Sequence, residues 1–516
     1  MPAAMLISGC SKKFEDYSQN KNLPITVPPG LVLRSILNSL VVFPGGFEDK
    51  AGQYIASNYT YYGDNKYWTG SASLNYSVLN SVVSMEAEAK KATGTDRNPY
   101  RALGFFFRAY FFVNMSEKVG DLPMTDALKG TANTAPKYDS QKDIFKQSLN
   151  WLDSANTLLG DLISNGFLEF SGDWYYQETA AYSDANGLKA LMEWRKVVNS
   201  YKLRVLIELS KRAGDAADLQ IPQQFAAIVS DPGKYPIFTG NEDNLQYVYN
   251  STYNYYPDNP NNYGNNAGRL NLGSTLVNNL AQLNDLRVMI LAEPARGLGH
   301  PDTDYGSFAG APLGSDVSTL STLSGAGQIS LYNYNHFYAT YTAEPTLILS
   351  YGEICFTIAE GINRGWVTGS AATWYETGIK AMFGFYGIKD GDNTVVFRNA
   401  GGTGNLTYTV HFSFADYLSQ PLVQYKGNNN DGLTQILTQK YLAYSRNSGL
   451  QAYYQWRRTG IPTFSIGTGT GNGNKIPLRF QYPTNETTIN GENLKTSLQS
   501  QYGGSDDINA KMWLIK

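Results

Sequence analysis

The chain has 516 residues and a formal net charge of −3, from 41 Lys and Arg against 44 Asp and Glu, with two cysteines. That balance leaves no basic field for nucleic acid and no acidic tail. Two cysteines give no basis for a disulfide framework, and no run approaches the roughly 20 apolar residues of a membrane span. With 38 Tyr, 50 Gly and only three His (His300, His336 and His411), the composition favours recognition of polar ligands over proton-transfer chemistry, because tyrosine joins a rigid apolar ring to a polar tip.

Residues 1–10 read MPAAMLISGC, a short apolar piece in which Ile7, Ser8 and Gly9 precede Cys10 and then the polar Ser11, Lys12 and Lys13. Small residues ahead of a cysteine are what a bacterial lipoprotein signal peptidase requires. Residues 1–9 therefore read as the remnant of a signal peptide without its positively charged start, Cys10 as the lipidation site, and residues 10–30 as a lipidated tether. Residues 31–42 and 74–91 read as helices flanking an aromatic loop, where Tyr59, Tyr61, Tyr62, Tyr67 and Trp68 crowd together with Asn58, Asp64 and Asn65. Such a loop either offers a stacking surface to a ligand or packs its rings on the helices.

Residues 98–117 predict a strongly apolar helix ended by Gly120, Asp121, Leu122 and Pro123. A second helix is predicted over 138–159, with Asp139 and Ser140 as caps, and a third over 193–212; Trp174, Tyr175 and Tyr176 lie between them, placed at the surface. From about 236 to 345 regular periodicity fades into an insertion. Its first part carries Tyr247, Tyr249, Tyr253, Tyr255, Tyr256 and Tyr263 among asparagines, and long irregular segments of this kind are commonly functional. The Gly/Ser-rich run 306–327 reads as a solvated loop.

Residues 345–386 organise the rest. At helical spacing Leu347, Tyr351, Ile354, Ile358 and Ile362 share a face, which Leu349, Phe356 and Ala359 widen, and Glu353 and Glu360 stand a heptad apart. The pattern breaks at Arg364-Gly365-Trp366 and resumes from Ala371 through Trp374, Tyr375, Gly378, Ile379, Met382 and Phe383, so two helices are joined by a short glycine turn. Such a hairpin buries only part of its apolar surface alone. That is the logic of tetratricopeptide-like stacking, although no strict repeat of about 34 residues is visible. On so apolar a helix Cys355 should be buried, and Glu353 and Glu360 should satisfy arginine or backbone partners. Arg457 and Arg458 should likewise serve as ion-pair partners. Residues 389–430 read as a second irregular insertion.

No HExxH, no paired CxxC and no histidine cluster is present, so no metal or cofactor is assigned. The glycines of GTGTGNGNK miss both phosphate-loop spacings, and there is no GxSxG elbow or cysteine–histidine pair. Paired carboxylates remain able to support glycoside hydrolysis, since two Asp or Glu at a suitable separation suffice.

Several pieces in order carry a resemblance: the lipobox at Cys10; Gly120-Asp121-Leu122-Pro123 after an aromatic helix; the segment from Trp194 to Ser200 followed by Leu203-Arg204; and Glu353 with Ala359-Glu360 before Arg364-Gly365-Trp366. They continue with Gln439-Lys440, Trp456 to Gly460 with Pro462, Ile476-Pro477-Leu478-Arg479 and Tyr482-Pro483. In this order they resemble the SusD/RagB family of Bacteroidota outer-membrane lipoproteins. The resemblance implies a mainly α fold, with residues 31–516 as one domain: a stack of tetratricopeptide-like helix pairs carrying a large irregular, ligand-facing half. It implies a lipid-anchored, surface-exposed outer-membrane protein that captures oligosaccharides for a SusC-like TonB-dependent transporter, without catalysis. Peptide capture by the same fold, glycoside hydrolysis and a purely helical adaptor are the competing readings. The family's aromatic platform is not a fixed motif. The ligand-binding residues nominated here, Trp68, Tyr255, Tyr256 and Tyr263 for ring stacking and Asn262 and Asp258 for hydroxyl hydrogen bonds, rest on local composition.

Overall fold

Helices whose apolar faces exceed what any one of them can bury alone set the architecture. The computed structural model describes residues 26–62, 65–67, 70–176 and 184–516; the expectations for Cys10 and Trp68 fall outside these. The first half of the chain carries α1 (Pro29–Asn38), α2 (Tyr76–Thr93), α3 (Pro99–Val119), α4 (Gln141–Asn165) and α5 (Asp184–Glu208). Each packs on the next in chain order. Helix α3 is buried around most of its circumference, as an apolar helix held between two neighbours must be.

Local chemistry sets the ends of these helices. Asn98 Oδ1 accepts from the Arg101 amide at 2.9 Å and Pro99 opens α3, and Gly120 leaves the helix with φ +101°. Of the two caps expected for α4, Ser140 is the cap, its hydroxyl accepting from the Asp143 amide at 3.1 Å. Asp139 instead accepts from the amides of Met124 and Thr125, at 2.8 and 2.9 Å, and so braces the turn after Pro123.

The second half carries α6 (Ser274–Gln282), α7 (Val317–Gly325), α8 (Tyr351–Asn363), α9 (Ala371–Phe385), α10 (Asn430–Tyr444) and α11 (Gln451–Thr459). Helices α8 and α9 form the expected hairpin, and α8 also packs on α5 and α10. Glycines let the hairpin close. A Cβ on Gly378 would stand 2.8 Å from the Phe356 ring, and one on Gly352 2.5 Å from Met382 Sδ.

Three expectations are corrected. Residues ahead of Tyr351 are not helical: Thr346–Leu349 is β4, antiparallel to β2 (Leu245–Tyr247), and Ser350 starts α8 by accepting from the Glu353 amide at 3.2 Å. The second irregular insertion contains a regular hairpin, β5 (Gly391–Arg398) paired along its length with β6 (Asn405–Phe412); alternation in VVFR and LTYTVHF carried that signal. The Gly/Ser-rich run is not simply solvated, because α7 forms within it, capped by Asp316. Ala311, Leu313 and Leu320 pack there with Ala56 and Ile329.

Two large apolar cores result. One lies among α1–α5; the other, beneath the irregular half, is rich in tyrosine: Tyr54, Tyr249, Tyr256, Tyr338, Tyr375, Tyr441 and Tyr454 are all buried in it. Three of their hydroxyls reach backbone carbonyls. Tyr54 donates to the Tyr441 carbonyl (2.7 Å), Tyr441 to that of Gly52 (2.9 Å) and Tyr375 to that of Val423 (2.9 Å).

Buried ion pairs join the layers. Arg204 of α5 grips Glu353 with two hydrogen bonds, of 2.6 and 2.5 Å, and also donates to the Ile348 carbonyl at 2.8 Å. Arg458 of α11 donates to Glu360 at 2.6 and 3.1 Å, and Arg364 adds a second cationic partner at 2.7 Å. Arg457 donates to backbone carbonyls, that of Glu117 at 2.6 Å among them. Cys355 is buried, as expected.

Burial alone would raise the Glu360 carboxyl, but Arg458 and Arg364 more than reverse this and hold it at about 2, against 4.5 for a free glutamate. A folded-state value below the unfolded one means that this stabilisation is present above pH 4.5 and drains away as pH falls through about 2. Glu360→Gln should therefore cost about 3–5 kcal/mol at pH 7, since it leaves Arg458 poorly compensated in the core. Urea unfolding at pH 7, 5 and 3 checks this: the gap to the parent narrows towards pH 3, whereas a gap independent of pH would exclude a charge-borne contribution.

Candidate functional site

The irregular half brings two tyrosine-bearing loops to one short sheet. Strand β1 (Ile55–Ser57) pairs antiparallel with β3 (Leu270–Leu272), matching Ile55 to Leu272 and Ser57 to Leu270. The turn leaving β1 and the Tyr/Asn loop arriving at β3 must then lie side by side. Asn58 locks them: its amide N–H donates to the Arg269 carbonyl at 3.0 Å. Its side chain donates to Asn271 Oδ1 (2.6 Å) and the Gly268 carbonyl (3.2 Å). Asn65 closes the first loop by acting as a substitute strand, accepting from the Ser57 amide and donating to the Ser57 carbonyl, both at 2.8 Å. On this loop Tyr59 is half exposed beneath the Arg269 guanidinium, 4.7 Å from the ring centre, and Tyr61 is 81% exposed.

The second loop is built on asparagine turns. Asn250 Oδ1 accepts from the amides of Thr252 and Tyr253, each at 3.0 Å, and so holds Tyr253 at the tip, 86% exposed. Tyr255 is 40% exposed and lies against Tyr341, ring centres 4.5 Å apart at 42°. The Tyr341 hydroxyl donates to Asn261 Oδ1 at 3.1 Å. This rigid, half-open pair of rings is what a sugar face or another flat apolar face can stack on.

Not every nominated residue reaches this surface. Tyr256 is fully buried, edge-on to Tyr249 and stacked near Phe337, and presents no ring face to a ligand. Asp258 is buried too, accepting from Arg446 at 2.7 Å, and is spent on that pair. Asn262 holds its own turn: its Oδ1 accepts from the Asn259 amide at 3.0 Å and its Nδ2 donates to the Pro257 carbonyl at 2.5 Å. Tyr263 is half-buried between Tyr334 and Tyr338. Alternation of tyrosine with Pro and Asn in YYPDNPNNY masks which ring points inward, because consecutive residues of a turn take different directions. Tyr341 and Arg269 were not singled out, although the aromatic cluster HFYATY was a readable signal for the first.

Arg446 braces the site from below. It is fully buried, packed against both the Tyr332 and Phe337 rings at 4.3 and 4.6 Å, bound to Asp258 and 3.6 Å from Asp49. Burial pushes the Asp49 carboxyl up to about 7, and Arg446 and the Gly45 amide only partly oppose this. One guanidinium thus ties the segment before β1 to the loop before β3. Among the described residues no group of three or more His, Cys, Asp or Glu is placed to hold a metal. Arg446→Met should destabilise the protein by about 3–5 kcal/mol, because the buried Asp258 carboxylate loses its hydrogen-bonded counter-charge. Chemical denaturation checks this, and a cost below about 1 kcal/mol would show that the brace is not needed.

Known proteins share this architecture. The profile of a SusD-like family, described as starch-binding and associating with the outer membrane, matches residues 46–483. A SusD homologue from Bacteroides fragilis is 26% identical with a TM-score of 0.80, over 95% of this chain and 100% of that one. A second from the same species is 28% identical with a TM-score of 0.75, over the same shares. A chitin-binding SusD homologue from Flavobacterium johnsoniae, 18% identical over 95% of this chain and 98% of that one, shares the fold with a TM-score of 0.68. No curated protein matches the sequence. With a family profile running through both helix-pair layers and the loops between them, the chain belongs to the SusD-like family.

Proposed function

We propose that this protein captures oligosaccharides on its tyrosine loops and delivers them to a SusC-like TonB-dependent transporter. The observation that carries the reading is the pair of preorganised loops at β1 and β3, which holds Tyr61, Tyr253 and the Tyr255–Tyr341 pair open on rigid backbone. Family membership supports outer-membrane association and a glycan as the ligand class. In the proposal Cys10 carries the lipid that anchors the protein at the cell surface, and Trp68 extends the platform on the first loop. Sugar rings place their C–H faces on such side chains and their hydroxyls on nearby amides, which gives affinities on the order of micromolar to millimolar. Capture then needs no chemistry on the ligand: a weak, fast-exchanging grip suits transfer to a second protein.

The full chain should bind at least one member of a panel of soluble polysaccharides in affinity electrophoresis. Tyr255→Ala and Tyr341→Ala should each weaken that binding about tenfold, the equivalent of about 1.4 kcal/mol. Tyr256→Phe should leave it unchanged. Binding to peptides alone would move the protein to peptide capture. Release of reducing ends, abolished by one carboxylate substitution, would make it a glycoside hydrolase.

A further inference from the structure

A second groove, sharing no residue with the tyrosine loops, lies where α6, α9 and α10 meet the segment 422–426. Its cavity volume is about 230 Å³, below the range of about 300–1,000 Å³ of sites that enclose a whole small ligand, as suits an open groove that holds part of a chain. Its lining is dominated by uncharged hydrogen-bonding groups. Asp431, Thr434 with Gln435, and Thr438 follow one another at helical spacing along a single face of α10. Asn279 and Gln282 face them from α6, and Leu283, Leu422 and Tyr375 supply apolar surface.

The groove divides into fixed and open groups. Gln435 Nε2 donates to the Leu422 and Gln424 carbonyls at 3.0 and 2.8 Å, and its Oε1 accepts from the Lys426 amide at 2.9 Å. Gln439 is pinned by Tyr417 at 3.1 Å and Arg287 at 3.0 Å. These contacts hold the floor and the 422–426 wall rigid. The Gln282 amide, the Thr438 hydroxyl, the Lys426 ammonium and the Asp431 carboxylate make no hydrogen bond or ion pair among the described residues. Leu422 beside them is 48% exposed, an apolar shelf next to these solvent-facing polar groups.

One Lys and one Asp cancel, so the groove has no net field to select a polyanion or a polycation. Neutral amides and hydroxyls around an apolar shelf match a neutral, hydroxyl-rich ring compound. We infer that this groove is a second saccharide site, taking a neutral oligosaccharide segment with Gln282, Thr438, Lys426 and Asp431 on its hydroxyls and Leu422 against a ring face. The inference rests on the glycan reading above. Two separate grips on one chain would let a polymer stay bound when either end lets go.

Hydrogen-exchange mass spectrometry of the full chain, with maltoheptaose and with chitohexaose as probes, tests it. One of these should protect peptides covering 274–284 and 422–440 as well as 253–263. The double variant Gln282→Ala/Thr438→Ala changes an exposed and a half-buried side chain that hold no other residue. It should raise the glycan concentration needed for protection at 422–440 about tenfold and leave 253–263 unchanged. Tyr255→Ala should do the reverse. Protection at 253–263 alone, or groove protection that the double variant does not weaken, overturns the second site and spares the glycan reading. Protection at neither place with either probe removes that reading and this groove with it.

Discussion

The two-hydrogen-bond grip of Arg204 on Glu353 is the constraint on which the rest of the molecule depends. It joins α5, in the first core, to the first turn of α8, in the hairpin that carries the second, and the same guanidinium satisfies the Ile348 carbonyl at the end of β4. Desolvating both charges offsets most of their attraction, so the pair adds little over a well-packed apolar contact. Its effect is on register. Any slide of α8 along α5 would strand a charge in the dry interior, and the Arg458–Glu360 pair two turns later imposes the same penalty from α11. The helix-pair stack is thereby fixed at a position that places β4, and with it the loops of the irregular half, where they are.

Tyrosine does two jobs in that half, and the difference is made by where its hydroxyl finds a partner. In the second core the hydroxyls of Tyr375 and Tyr441 donate to turn carbonyls, and that of Tyr54 to the Tyr441 carbonyl in the last turn of α10, so backbone groups left over by regular structure are still satisfied. On the two loops, Tyr61, Tyr253 and Tyr255 keep much of their surface in water. A loop scaffold that spends rings on its own core can afford exposed ones, because the asparagine turns beneath them are rigid. Rings already immobilised lose less entropy when a ligand arrives.

The site rests on the same economy of buried charge. Arg446, packed against two aromatic rings and two carboxylates, fixes the loop before β3 to the segment before β1. What the solvent-facing rings can recognise therefore depends on a cation that no ligand touches.

The helix pairs were legible from the sequence because their signal is local. Apolar spacing, Ser140 as a cap, and the glycine break before Ala371 each act within a few residues, and the ion-pairing of Glu353, Glu360 and Arg458 followed from charged groups on faces too apolar to solvate them. The outer strands were missed where pairing partners lie far apart: β4 needs β2, about a hundred residues away, to be a strand at all. The site was half legible for the same reason. Composition alone marked the 253–263 loop as aromatic, and Tyr255 is open there. Composition could not say that Tyr256 turns inward, against Phe337, or that Asp258 is spent on Arg446, since both depend on partners distant in the chain. The sequence by itself determined the helix pairs and the supply of rings and amides. Tertiary structure decided which rings meet water, because burial is set by what packs opposite and not by the residue's own neighbours in the chain.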